Sequence, residues 1–132
     1  MAFLKKLLQP VLLVGLVIAA ASSMACVSSV PELPATEVSR MVENDHAIII
    51  DVREQDEWDA QHIPGAIHIP LGEVNNRLSE LASYKDQPIV MQCRSGKRSA
   101  QAANILKEAG FKHVLNLKGG IIAWSKASLP TI

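Results

Sequence analysis

Seven consecutive residues, Cys93-Arg94-Ser95-Gly96-Lys97-Arg98-Ser99, set a thiol, three cations and two hydroxyls around one glycine. The reactive form of cysteine is the thiolate, and a free thiol ionises at about 8.5. Positive charge on Arg94, Lys97 and Arg98 favours the ionised form. The run leads into RSAQAANILKEAG, a helical pattern, so its N–H groups open a helix and carry positive partial charge. Gly96 lets the backbone curl until successive N–H groups point inward as an anion nest. Ser95 and Ser99 add hydroxyl donors. Together these residues read as a cradle for an anion on, or beside, the sulfur of Cys93.

Two chemistries suit a thiolate in such a cradle. In one, cysteine attacks phosphorus. In the other, it takes a sulfane sulfur and holds it as a persulfide. Arg98 follows Cys93 in a C-x4-R spacing, one residue shorter than the C-x5-R with which cysteine phosphatases surround a tetrahedral phosphate. A shorter loop makes a smaller ring, which favours a single sulfur atom over phosphate or arsenate. A thiol redox protein is disfavoured because no second cysteine lies near Cys93 to resolve a disulfide. The plainest alternative is an inert cysteine in a charged surface turn.

The elements around this loop argue for its position. AIIIDV (47–52), IHIP (67–70), PIVMQC (88–93) and HVLNL (113–117) are apolar, strand-like runs. Between them lie helical patterns. EVSRMVEND carries Thr36 as its candidate N-cap, and EQDEWDAQ is a short polar helix or turn. LGEVNNRLSELASY repeats Leu71, Val74, Leu78 and Leu81 at helical spacing, RSAQAANILKEAG stops at Gly110, and GGIIAWSKA follows two glycines. Strands alternating with helices predict an α/β fold with a mostly parallel sheet covered on both faces. Ligands in such folds sit beyond the carboxyl ends of the strands, where Cys93 falls.

The 132 residues suffice for one domain. Aromatic residues are only 4%, so the core is expected to be aliphatic. The formal net charge is zero, which removes a global field toward nucleic acid and makes the basic loop a local feature. Residues 1–25 read as an export signal: Lys5 and Lys6, an apolar run from Val11 to Ala21, then Ser23 and Ala25 as a small-x-small cleavage site. That apolar run is shorter than the about 20 residues that span a bilayer. An uncleaved anchor over Leu7 to Ala25, and a lipid on Cys26, stay open beside cleavage. Removing residues 1–25 leaves 107 residues with 11 cations against 13 acids, a charge of −2. Residues 26–35, with Pro31 and Pro34, read as a linker, and 36–132 as the domain. Export to an oxidising compartment, most simply the periplasm, makes a Cys26–Cys93 disulfide a further alternative.

Three motifs in order carry a resemblance. DVREQDEWDAQHIPGAIHIP (51–70), CRSGKRS (93–99) and LKGGIIAW (117–124) are similar to the signatures of the rhodanese family of sulfurtransferases in its single-domain form. Gln61 stands where that family often has glycine, and Gln92 where it often has tyrosine. The resemblance implies a rhodanese-like domain with Cys93 as nucleophile and persulfide carrier. It implies that the N–H groups of Arg94 through Ser99 cradle the sulfur, and that Arg94 and Lys97 attract an anionic donor such as thiosulfate. Arg98 is expected to brace the loop, against an acid such as Asp51. A thiophilic acceptor, cyanide or a thiol, would remove the sulfur in a double displacement. No metal or organic cofactor is implied. A non-catalytic rhodanese-like sulfur-binding or interaction module is the alternative, disfavoured by an intact cysteine among cations.

The other conspicuous residues read as structural. Asp51 and Arg53 form an ion pair or hydrogen-bond set near the site, His62 fixes the IPGA turn, and Trp58 and Trp124 pack. His46, His68 and His113 show no metal-ligand spacing. The acidic run REQDEWD reads as a solvated helix face.

Overall fold

The computed structural model describes residues 29–132. The predicted signal segment, the Cys26 lipidation site and residues 26–28 of the predicted linker lie outside the described residues.

Among the described residues, five strands run in chain order as β1 (Glu32–Leu33), β2 (Ile48–Asp51), β3 (Ile67–His68), β4 (Ile89–Gln92) and β5 (Val114–Leu117). Four α-helices alternate with them: α1 (Ala35–Glu43), α2 (Gln55–Ala60), α3 (Lys97–Glu108) and α4 (Gly120–Lys126). The sheet has the order β1-β5-β4-β2-β3, and every pair is parallel. This is the expected α/β architecture. The chain leaves β4 toward β5 on one side and β2 toward β3 on the other. The β2/β4 boundary is therefore the switch point, where open sheets place their ligand crevice.

Side chains alternate across a strand, and the two faces found two cores. Ile50, Ile89 and Met91 pack with Ala102, Ala103 and Leu106 of α3 on one face. Ile49, Val90 and Leu117 pack with Val38 of α1 and Ile121 and Trp124 of α4 on the other. Strands covered on both sides need apolar residues at every position, which is why AIII and IVM are unbroken.

Three local expectations change. Glu32–Leu33, inside the stretch read as linker, is an edge strand whose residues pair with Asn116 and Leu117 of β5. Two residues between Pro31 and Pro34, one of them charged, are too short to show a period. Helix α1 begins at Ala35 behind Pro34, with no side-chain cap, so Thr36 is not its N-cap. Residues Leu71–Glu73 and Asn75–Tyr84 wind as 3-10 rather than α-helix. Leu71 and Val74, and Leu78 and Leu81, stand three apart, the spacing at which 3-10 side chains eclipse. Val74 and Leu81 are thereby fully buried against the α3 face.

Leu106 is fully buried in the α3 core. Leu106→Ala is expected to cost about 3 kcal/mol by urea unfolding. A loss under about 1 kcal/mol would mean that this face collapses onto the hole rather than holding its shape.

Candidate functional site

Cys93 follows β4 directly and is almost wholly buried, a free thiol under its own loop. The loop is shaped from the carbonyl side as much as from the sulfur side. The Cys93 carbonyl accepts from Gln92 Nε2 at 2.9 Å and from the Ile121 N–H at 2.9 Å. Those two bonds fill both lone pairs and hold the carbonyl away from the sulfur. The Ile122 N–H adds a bond to the Arg94 carbonyl at 3.3 Å. Helix α4 reaches this close because its first residue is glycine. A Cβ on Gly120 would collide with the Cys93 and Arg94 carbonyl groups, and Gly120 also has φ +58°. The GG of LKGGIIAW is thus a buttress for the loop.

With the carbonyl turned out, donors converge on the sulfur. The Gly96 N–H reaches Sγ at 3.0 Å, and Ser99 Oγ lies 3.3 Å away. Gly96 has φ +108°, a left-handed conformation, and caps α3 with no side-chain bond. Burial pushes the Cys93 thiol up, but the Ser99 hydroxyl and the N–H groups of Ser99, Gly96 and Ser95 outweigh it, so the thiol ionises below its ordinary value. The groups that lower it most are hydrogen-bond donors, not the cations that the sequence singled out. Arg94, Ser95 and Lys97 are exposed at the loop surface, and Ser99 is buried beneath it.

Arg98 braces the loop, but against a different acid. Its Nη1 and Nη2 donate to the two carboxylate oxygens of Glu57 on α2 at 2.6 and 2.8 Å. Asp51 is unavailable because Arg53 holds it: Nε and Nη2 of Arg53 donate to Asp51 at 3.0 and 2.7 Å, and both residues are buried. The remaining Arg53 donors reach the Glu57 carbonyl at 3.2 Å and the Gln61 carbonyl at 2.8 Å. The pair read as structural therefore moors α2, and α2 presents Glu57 to Arg98. Glu57 also accepts the Glu54 N–H in a capping box. The run REQDEWD is accordingly not a plain solvated face, since Arg53 is buried and Glu57 is committed to the loop.

His62, His68 and the two tryptophans are engaged in packing and hydrogen bonds. Trp58 is stacked between His62, at 3.7 Å between centroids, and His68, at 4.7 Å. His62 Nδ1 bonds the Trp58 carbonyl at 2.9 Å, and its backbone pairs both ways with Ile132. Trp124 is buried, and its Nε1 donates to the Pro130 carbonyl at 2.9 Å. Gln61 is extended at φ −168°, so no glycine is needed there. Gln92 is fully buried beneath Cys93, with Oε1 unpartnered. Among the described residues no group of three or more His, Cys, Asp or Glu could hold a metal.

Three site residues escaped the sequence reading. Glu57 was hidden in a charge-rich run. Gly120 gave only its glycine doublet. Asn116, which bonds both Ser99 and Gly96, gave a fainter signal: one amide in an otherwise apolar strand.

The Arg98 contact holds the Glu57 carboxyl down at about 2, from an ordinary 4.5. A depressed carboxyl stabilises the fold above its unfolded value and loses that contribution as pH falls through its folded value. Glu57→Gln is therefore expected to lower stability by about 1 kcal/mol at pH 7. The gap should close as pH falls from about 4.5 to about 2, read by thermal melts across pH. A gap constant over that window would count against the pair.

Comparison with known proteins agrees with this geometry. Residues 34–127 match the family model for the rhodanese-like domain. The chain is 42% identical over 99 residues to a putative sulfur carrier protein, YrkF, of Bacillus subtilis. That match covers 74% of this chain and 52% of the relative, so the chain spans about half of that protein's length. It is 39% identical over 93 residues to a sulfurtransferase of Allochromatium vinosum, covering 70% of this chain and 85% of that one. Among solved structures, a thiosulfate sulfurtransferase from Pseudomonas aeruginosa superposes with a TM-score of 0.71 at 31% identity. It covers 78% of this chain and 20% of that one. The cysteine loop at the switch point, its glycine buttress and these matches together identify the chain as a member of the rhodanese-like family, whose relatives include sulfurtransferases.

Proposed function

We propose that this chain is a thiosulfate-type sulfurtransferase that carries its sulfur as a persulfide on Cys93. The observation that carries the reading is the convergence of the Gly96 N–H and Ser99 Oγ on one buried Sγ. Donors preset at that point offset negative charge on the attacking thiolate and, afterwards, on the outer sulfur. The thiolate attacks the sulfane sulfur of the donor, forming the S–S bond and expelling sulfite when the donor is thiosulfate. A thiophilic acceptor then takes the outer sulfur, and the electron pair of the S–S bond returns to Cys93. Two half-reactions through a covalent intermediate give ping-pong kinetics. Arg94 and Lys97, both exposed at the loop surface, are assigned to attracting the anionic donor.

Phosphoryl chemistry fits less well. Both terminal nitrogens of Arg98 are taken by Glu57, so the arginine of C-x4-R has no free fork for a phosphate. The non-catalytic module does not call for a thiol held below its ordinary ionisation.

Incubating the reduced protein with thiosulfate should add one sulfur to its intact mass, removed by cyanide and absent in Cys93→Ser. No gain would exclude thiosulfate as donor. In the same assay Arg94→Ala and Lys97→Ala should need several-fold more thiosulfate for half-loading, and unchanged half-loading would remove their steering role.

From residues 1–25 we further propose that the chain is exported. Amino-terminal sequencing of protein recovered from outside the cytoplasm should begin at Cys26 or be blocked by lipid there. Recovery only from the cytoplasm, beginning at Met1, would overturn export.

A further inference from the structure

Asn116 is the polar member of β5, only 3% exposed and bound on both sides of its amide. Its Nδ2 donates to the Gly96 carbonyl at 3.0 Å. A carbonyl can only accept, so this bond fixes which way the amide points and aims Oδ1 at Ser99. Oδ1 lies 2.6 Å from Ser99 Oγ, and the same Oγ lies 3.3 Å from Cys93 Sγ. A hydroxyl has one proton. Two acceptors, Asn116 Oδ1 and the ionised sulfur, thus compete for a single hydrogen in a buried site.

We propose that Asn116 orients the Ser99 hydroxyl: while Cys93 is a thiol, Asn116 holds the Ser99 proton and the Ser99 oxygen accepts the S–H; the hydroxyl turns to the sulfur only when the thiol ionises. The sulfur proton leaves to solvent, the hydroxyl rotates about its own C–O bond, and no bond of Ser99 breaks. The turn leaves Asn116 Oδ1 without its hydrogen, a cost charged to ionisation in a buried site. Asn116 is a positioning residue acting through Ser99. It restrains the resting sulfur in a loop otherwise built to make it reactive, and through Nδ2 it keeps Gly96 in place. A sequence-level reading of the loop misses this, because the restraint comes from a neighbouring strand.

The charged groups of the loop and the elements packed on it are Arg94, Lys97 and Arg98 on the loop and α3, Glu54 and Glu57 at α2, and Asp51, the last residue of β2, paired with Arg53. Lys118 follows β5. All are retained in the variants below, so a shift between variants is not theirs.

The test is the pH dependence of Cys93 alkylation by iodoacetamide in the full chain, followed on the peptide containing Cys93, which separates it from Cys26. Alkylation needs no sulfur donor, so the result stands apart from the success or failure of sulfur transfer. Asn116→Ala should move the midpoint down by about half a unit to one unit, the scale of one competing hydrogen bond. Ser99→Ala should move it up, and adding Asn116→Ala to Ser99→Ala should produce no further fall. Asn116→Asp, which keeps an acceptor toward Ser99, should not lower it. Should the alanine variant fail to fold, Asn116→Leu, closer in volume, is read in the same way. A midpoint unchanged or raised on losing Asn116, a fall that persists without Ser99, or a fall in Asn116→Asp would overturn the proposal.

Discussion

One carbonyl governs the site. With Gln92 on one side and the Ile121 N–H on the other, the Cys93 C=O has no acceptor capacity left. Its peptide plane is therefore set. The following residues curl so that the Gly96 N–H and Ser99 Oγ come onto the sulfur. A buried thiol would otherwise ionise late, because burial disfavours charge. Here the donors reverse that bias, and they do so from positions the backbone already occupies. Only the Ser99 hydroxyl, shared with Asn116, has to turn as the sulfur ionises.

The surrounding contacts serve that geometry in series. Asp51 holds Arg53, Arg53 holds α2 by the Glu57 and Gln61 carbonyls, and α2 offers Glu57 to Arg98 at the start of α3. On the opposite side Gly120 lets α4 touch the loop backbone. From the third side Asn116 holds the Gly96 carbonyl. The loop is therefore fixed by β2, β5 and two helices, none of which supplies the reacting atom. Cations near a cysteine are commonly credited with its reactivity. In this protein Arg98 spends its charge on Glu57, and the ionisation of Cys93 rests chiefly on hydrogen bonds.

Much of this was legible in order along the chain. AIII and IVM announced doubly covered strands through unbroken apolar runs, and CRSGKRS announced the loop through glycine, charge and place. The misread parts share a cause. Thr36 looked like a cap by residue type, yet the helix starts one position earlier behind Pro34. Asp51 looked like the partner of Arg98 by motif, yet Arg53, two residues away, reaches it first. Glu57 looked like one more surface acid, because nothing in its neighbours reveals that Arg98, 41 positions on, will face it.

Sequence by itself determined the α/β alternation, the identity of the thiol and its location at a strand end. Each of these follows from local periodicity or from residue chemistry, which neighbouring letters encode. Tertiary structure alone decided which acid meets Arg98, which strand holds Ser99 and why the second glycine of the doublet is needed. Those outcomes depend on what the parallel crossovers bring within a few ångströms of Cys93, and distance across a sheet leaves no mark on spacing along a chain.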